Sequence, residues 1–171
     1  MSRSIFWLLL MVLLPGMEAF AQKAEIPNSW QRVTACSFTF ILPGDLQNIR
    51  NSMQASDYCF SVFDNKDMIV SLNYGPHISP MHQVWENDYK STPIKLNGKK
   101  ATLITYVFDA KQKSEHPFVT EVHLIRKTSK KNRPLTTASL LFMISTNDLP
   151  KPETINKIVK SIKFVGGPVP I

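Results

Sequence analysis

Asn97-Gly98, set between the β-prone runs "TPIKL" and "KKATLITYVFD", constrains this chain more than any other dipeptide in it. Both residues tolerate left-handed backbone, which a two-residue type I′ turn requires, so the two runs must fold back on each other as an antiparallel hairpin. "PFVTEVHLIRK" and "PLTTASLLFMIS" follow as two further strand-like runs joined by the basic segment "TSKKNR". Together the four runs predict an antiparallel meander. Upstream, "YCFSVF" and "DMIVSLNYG" flank "DNK", a connection rich in turn formers, and predict another hairpin. From Cys36 to Leu42 the apolar residues Cys36, Phe38, Phe40 and Leu42 alternate with Ser37 and Thr39, the period-2 signature of a half-buried strand that Pro43-Gly44 ends.

Helical spacing is sparser. "DLQNIRNSMQAS" places Leu46, Ile49 and Met53 at weak helical intervals and reads as a short helix or an irregular loop. In "HISPMHQVWENDYK", Ser79 suits an N-cap with Pro80 at the first helical position, and Met81, Val84, Trp85 and Asp88-Tyr89 predict an apolar stripe on one side of a helix ending near Lys90. A last helix starts near Asp148 or Pro152 and carries Ile155, Ile158, Val159 and Ile162 on one side, before "IKFV" closes the domain as a short strand. These readings combine into an α+β fold: a sandwich in which an antiparallel sheet of hairpins is covered by two or three helices. The hairpins argue against a doubly wound parallel sheet.

The N-terminus points outside the cytoplasm. Arg3 precedes the unbroken apolar run Ile5 to Leu14, Pro15-Gly16 breaks it, and Ala19-Phe20-Ala21 forms an A-x-A-type cleavage motif, so residues 1–21 read as a signal peptide. The apolar run is about half the roughly 20 residues needed to span a bilayer, and no span is expected after cleavage. Residues 22–32 then form an N-terminal tail, 33–165 one domain and 166–171 a C-terminal tail. An apolar fraction of 43% fits one globular core rather than a disordered chain. The expected location is the periplasm or the extracellular space, where two cysteines pair by default. Cys36 and Cys59 are the only cysteines, so one connectivity exists, and the bridge should join neighbouring strands or a strand to its edge. A redox pair would show C-x-x-C instead.

The entrance "FTFILP", the hairpin "LNGKKATLITY" and the closing "INKIVKSIKF" resemble the PsbP-like/DcrB-like group of small exported domains, over about Val33 to Phe164. The resemblance implies a fold and a role in binding or assembly rather than catalysis. It carries over no functional residue, because its motifs are hydrophobic and turn patterns.

Chemistry-bearing motifs are few. His77, His82, His116 and His123 are the histidines, and His77 and His82 with Glu86 form the one conceivable metal cluster, although no H-E-x-x-H or comparable pattern is present. No metal site and no cofactor is expected. There is no G-x-S-x-G, phosphate loop or dinucleotide fingerprint, so no catalytic residue is assigned; Glu86, Asp88, Glu115 and Glu121 remain as acids of unknown spacing. The net charge of +7 draws an exported protein to anionic surfaces. Arg126, Lys127, Lys130, Lys131 and Arg133 concentrate that charge in one predicted turn and are the candidates for gripping phosphate or carboxylate groups. The sequence therefore predicts a monomeric, non-enzymatic binding or assembly domain whose partner is a protein or an anionic envelope component, not nucleic acid. The alternative is a small exported hydrolase or metal-dependent enzyme.

Overall fold

The computed structural model describes residues 29–55, 58–76, 78–80, 87–108, 114–128 and 136–165. They form ten strands and one helix: β1 (Trp30–Ala35), β2 (Phe38–Pro43), β3 (Gln47–Ala55), β4 (Tyr58–Asp64), β5 (Met68–Gly75), β6 (Asn87–Leu96), β7 (Lys99–Val107), β8 (Phe118–Thr128), β9 (Thr136–Thr146), α1 (Pro152–Ser161) and β10 (Lys163–Phe164). A seven-stranded antiparallel sheet runs β3-β4-β5-β9-β8-β7-β6, and a three-stranded sheet runs β1-β2-β10. The β6-β7-β8-β9 meander stands as the sequence predicts, as does the β4–β5 hairpin.

The helical cover does not. Among the described residues α1 is the single helix, and the layer over the core is the small sheet with α1 beside it, so the expectation of two or three helices is corrected to a mainly β structure. Two segments account for the difference. The "DLQNIRNSMQAS" stretch is β3, an edge strand with register shifts against β4. Its helical spacing had no face to build: Leu46 is buried before the strand begins, whereas Ile49 is 57% exposed. The helix expected to end near Lys90 cannot reach that far, because Asn87–Leu96 is β6, while residues 81–86 lie outside the described residues. A left-handed Asp88 (φ 53) and a register shift between Asn87 and Lys90 start this strand with a bulge.

Both sheets turn their apolar residues to one core. Phe38, Phe40 and Leu42 from β2 and Ile155, Ile158, Val159 and Ile162 from the α1 region meet Val70, Leu72, Tyr74, Val122, Leu140, Phe142 and Ile144 from the large sheet. Phe40 sits edge-on to both Phe63 and Phe142, with centroids 5.7 and 5.0 Å apart, a geometry that aligns ring edges with ring faces. The C-terminal helix matches its predicted spacing, begins with Pro152 as its first residue, and places Lys157 3.9 Å over the Trp30 ring. β1 itself begins at Trp30, inside the stretch read as tail.

The disulfide Cys36–Cys59 is present. Cys36 is not in a strand. With Ser37 it forms the two-residue turn between β1 and β2, both residues left-handed at φ 51 and 66. Cys59 lies on β4, so the bond ties the tip of the small sheet to the large one rather than joining neighbouring strands. Two left-handed non-glycine residues cost roughly 1–2 kcal/mol each, and the period-2 pattern could not show them because Cys36 still falls in phase with Phe38.

Candidate functional site

The large sheet has a second face, turned away from the core. Register places Ile104, Glu121 and Met143 in one row across β7, β8 and β9, and Tyr106, Val119 and Ser145 in the next. Ile104, Tyr106 and Val119 form a small separate apolar cluster with Phe108 and Met143 packed against it. Within this face the Glu121 carboxylate is fully buried and accepts a 2.7 Å hydrogen bond from the Tyr106 hydroxyl. Two residues on, the His123 ring lies 3.3 Å through Nε2 from the Ile78 carbonyl, which fixes the start of the β5-to-β6 connection over this face. Connecting β5 to β6 demands such a crossing, because β9, β8 and β7 stand between them.

Glu121 thus has an internal structural role. Replacing it by Leu removes the acceptor from a buried phenol and should lower the unfolding free energy by about 2 kcal/mol, whereas Gln, which keeps an acceptor oxygen, should cost clearly less. Urea denaturation of both variants checks this, and equal losses would contradict the hydrogen-bond account. The other acids do not join it: Glu115 is exposed in the β7–β8 connection and Asp88 lies in the β6 bulge on the edge strand. Among the described residues no group of three His, Cys, Asp or Glu could hold a metal ion. His77, His82 and Glu86 lie outside the described residues, and His116 and His123 are apart, one in the β7–β8 connection and one on β8.

Further along the same face, toward the β6–β7 turn, the surface becomes an open groove of about 910 Å³ lined by Pro93, Ile94 and Lys95 from β6, Lys99, Lys100, Ala101 and Thr102 from β7, and His123 and Ile125 from β8. Asn97 (φ 50) and Gly98 (φ 75) form the turn with the left-handed backbone the sequence demanded, and the Asn97 side-chain amide donates to the Ile162 carbonyl, anchoring the hairpin against the end of α1. That contact brings Lys163, the next residue, to the same end of the molecule.

In an antiparallel meander alternate turns emerge at the same end, so the β6–β7 turn, the end of β8 and the start of β9 lie at one end of the sheet. Arg126 and Lys127 occupy β8 positions opposite Ala138 and Thr137, at this end of the sheet; Lys130, Lys131 and Arg133 lie outside the described residues. The sequence reading found only these five cations. Lys95, Lys99 and Lys100 were missed, although "KLNGKK" beside the strongest turn signal shows them once strand order is known. No acidic residue occurs from Tyr89 to Leu103 or from Val122 to Arg133. The acids gather at the opposite end, where Asn65 donates to Asp45 at 2.8 Å and Asn147 to Asp67 at 3.1 Å, with Asp64 and Asp148 close in sequence.

One contact at the basic end is costly. Lys95 and Lys100 are direct cross-strand partners on β6 and β7, both exposed, and like charges in this position destabilise a sheet. Nothing in the described packing requires two ammonium groups there. No helix among the described residues is long and apolar enough to cross a membrane. Compared with known proteins, the chain matches no family model and no curated protein.

Proposed function

We propose that this chain is an exported, non-enzymatic binding domain that receives an anionic partner at the basic end of its large sheet. The observation that carries the reading is the Lys95–Lys100 pair, which holds positive charge together beside a groove in which every described ionisable side chain, Lys95, Lys99, Lys100 and His123, is basic. A bound phosphate or carboxylate between two ammonium groups converts their repulsion into attraction. The disulfide fits an oxidising compartment outside the cytoplasm, as do the signal-like residues 1–21. The likeness to exported PsbP-like/DcrB-like domains also favours binding over catalysis. Arg126 and Lys127 stand on β8 at the same end of the sheet, and Lys130, Lys131 and Arg133 follow them in the sequence.

Retention of the exported protein on immobilised polyphosphate tests the reading. Retention should be strong at low ionic strength, fall steeply as salt screens the contacts, and drop sharply in the Lys95→Gln/Lys100→Gln double variant. Unchanged retention in that variant would place the binding elsewhere on the molecule.

A further inference from the structure

Resting on that reading, we infer that the partner at this face is an anionic phospholipid surface, against which the β6–β7–β8 groove docks flat. The groove is not only basic. Pro93 and Ile125 are exposed, Ile125 at 54%, and strand alternation puts both on the face of Lys95 and Lys100, so apolar side chains stand beside the paired lysines on one open face. Apolar contacts surrounded by lysines suit a bilayer interface, where the former enter the headgroup boundary and the long lysine stems lie along apolar surface with their charges among phosphates.

Among the described residues the cations that line the groove are lysines, and no arginine is among them. Lysine is a compact point charge without the planar fork that grips one phosphate in two-pronged fashion, and it therefore fits many interchangeable headgroups better than one fixed anion. An acidic peptide would most readily add itself to the free edge strand β6. That edge is blocked in its middle by Pro93, which has no N–H to donate, and distorted at its start by the Asp88 bulge. An anionic glycan would be expected to find exposed aromatic rings to stack on, and no aromatic side chain among the described residues lines the groove. The lipid surface is the occupant for which both the charge and the apolar residues have a use.

Co-sedimentation of the exported protein with vesicles tests this. Vesicles of phosphatidylcholine with about one-third phosphatidylglycerol should carry the protein down and pure phosphatidylcholine should not. Loss of each lysine should weaken partitioning by roughly fivefold, so Lys95→Gln/Lys100→Gln should fall by more than tenfold, while Lys66→Gln, at the opposite end of the sheet, should bind as the wild type does. Ile125→Ser should weaken vesicle binding but leave retention on polyphosphate unchanged, a split that a purely ionic site would not give. Soluble glycerol phosphate at matching phosphate concentration should fail to compete. Retention on polyphosphate without binding to anionic vesicles would overturn the lipid inference and leave the anionic-partner reading standing. Loss of both would overturn the two together, and effective competition by glycerol phosphate would assign the face to a free phosphate compound instead.

Discussion

Phe142→Ala should lower the unfolding free energy by about 4 kcal/mol, the middle of the range for removing a buried aromatic ring. Phe142 lies at the middle of β9, the central strand of the large sheet, with no exposed surface, and its register partners are Leu72 on β5 and Val122 on β8. Its ring meets Phe40 across the space between the sheets at 5.0 Å and 81°. Removing it therefore empties the point where the two sheets touch, and the strands on either side are fixed by their ladders and cannot close over the gap. Since small domains are stable by only about 5–15 kcal/mol, the variant should melt well below the wild type and bind hydrophobic dye at temperatures where the wild type does not. A loss below about 1 kcal/mol in chemical denaturation would mean that the two layers do not pack as described.

Opening the Cys36–Cys59 bond should cost about 3 kcal/mol, the entropy recovered by an unfolded chain no longer closed across a separation of 23 residues. A domain of this size loses about 2–4 °C of melting temperature per kcal/mol, so Cys36→Ser/Cys59→Ser should melt roughly 10 °C lower than the oxidised wild type. Reductant should shift the wild type by the same amount and leave the double variant where it is. The location of the bond sharpens this expectation. Cys36 sits in a left-handed turn, and the bond is the covalent tie from that turn to the large sheet. A wild-type midpoint indifferent to reductant would show that the bond contributes nothing to holding the small sheet in place.

Much of this architecture is written in local pattern. The Asn97-Gly98 turn, the alternation through Phe38, Phe40 and Leu42, and the Ile155/Ile158/Val159/Ile162 spacing each depend on neighbours a few residues away, and each is where the sequence places it. β3 and the start of β6 were misread because edge strands escape the rule that one side of an element must be apolar. Ile49 is exposed on a strand, and Tyr89, read as part of a buried helical stripe, is 45% exposed. β1 was hidden because "WQRVTA" gets its cover from β2 and from Lys157 over Trp30, a contact between residues far apart in the chain.

The candidate site was legible by halves for the same reason. A run of cations such as "RKTSKKNR" is visible in one dimension, whereas Lys95 facing Lys100 becomes a single feature only when the hairpin register is known, and Ile125 joins them only when β8 is laid beside β7. Glu121 looked like any scattered acid. Its place between Ile104 and Met143, under the Tyr106 hydroxyl, follows from strand register, which no local signal announces.

The role proposed for the Lys95–Lys100 pair is to hold an anion at the expense of the sheet. Its most direct measurement is the affinity of Lys100→Glu for polyphosphate beside that of the wild type, at one ionic strength, with melting recorded on the same samples. Reversing one charge turns a repelling cross-strand pair into an attracting one, so the variant should be more stable by about 0.5–1 kcal/mol while binding polyphosphate at least tenfold more weakly. Wild-type affinity in a variant that melts higher would contradict the account, because the repulsion would then serve no binding at this face.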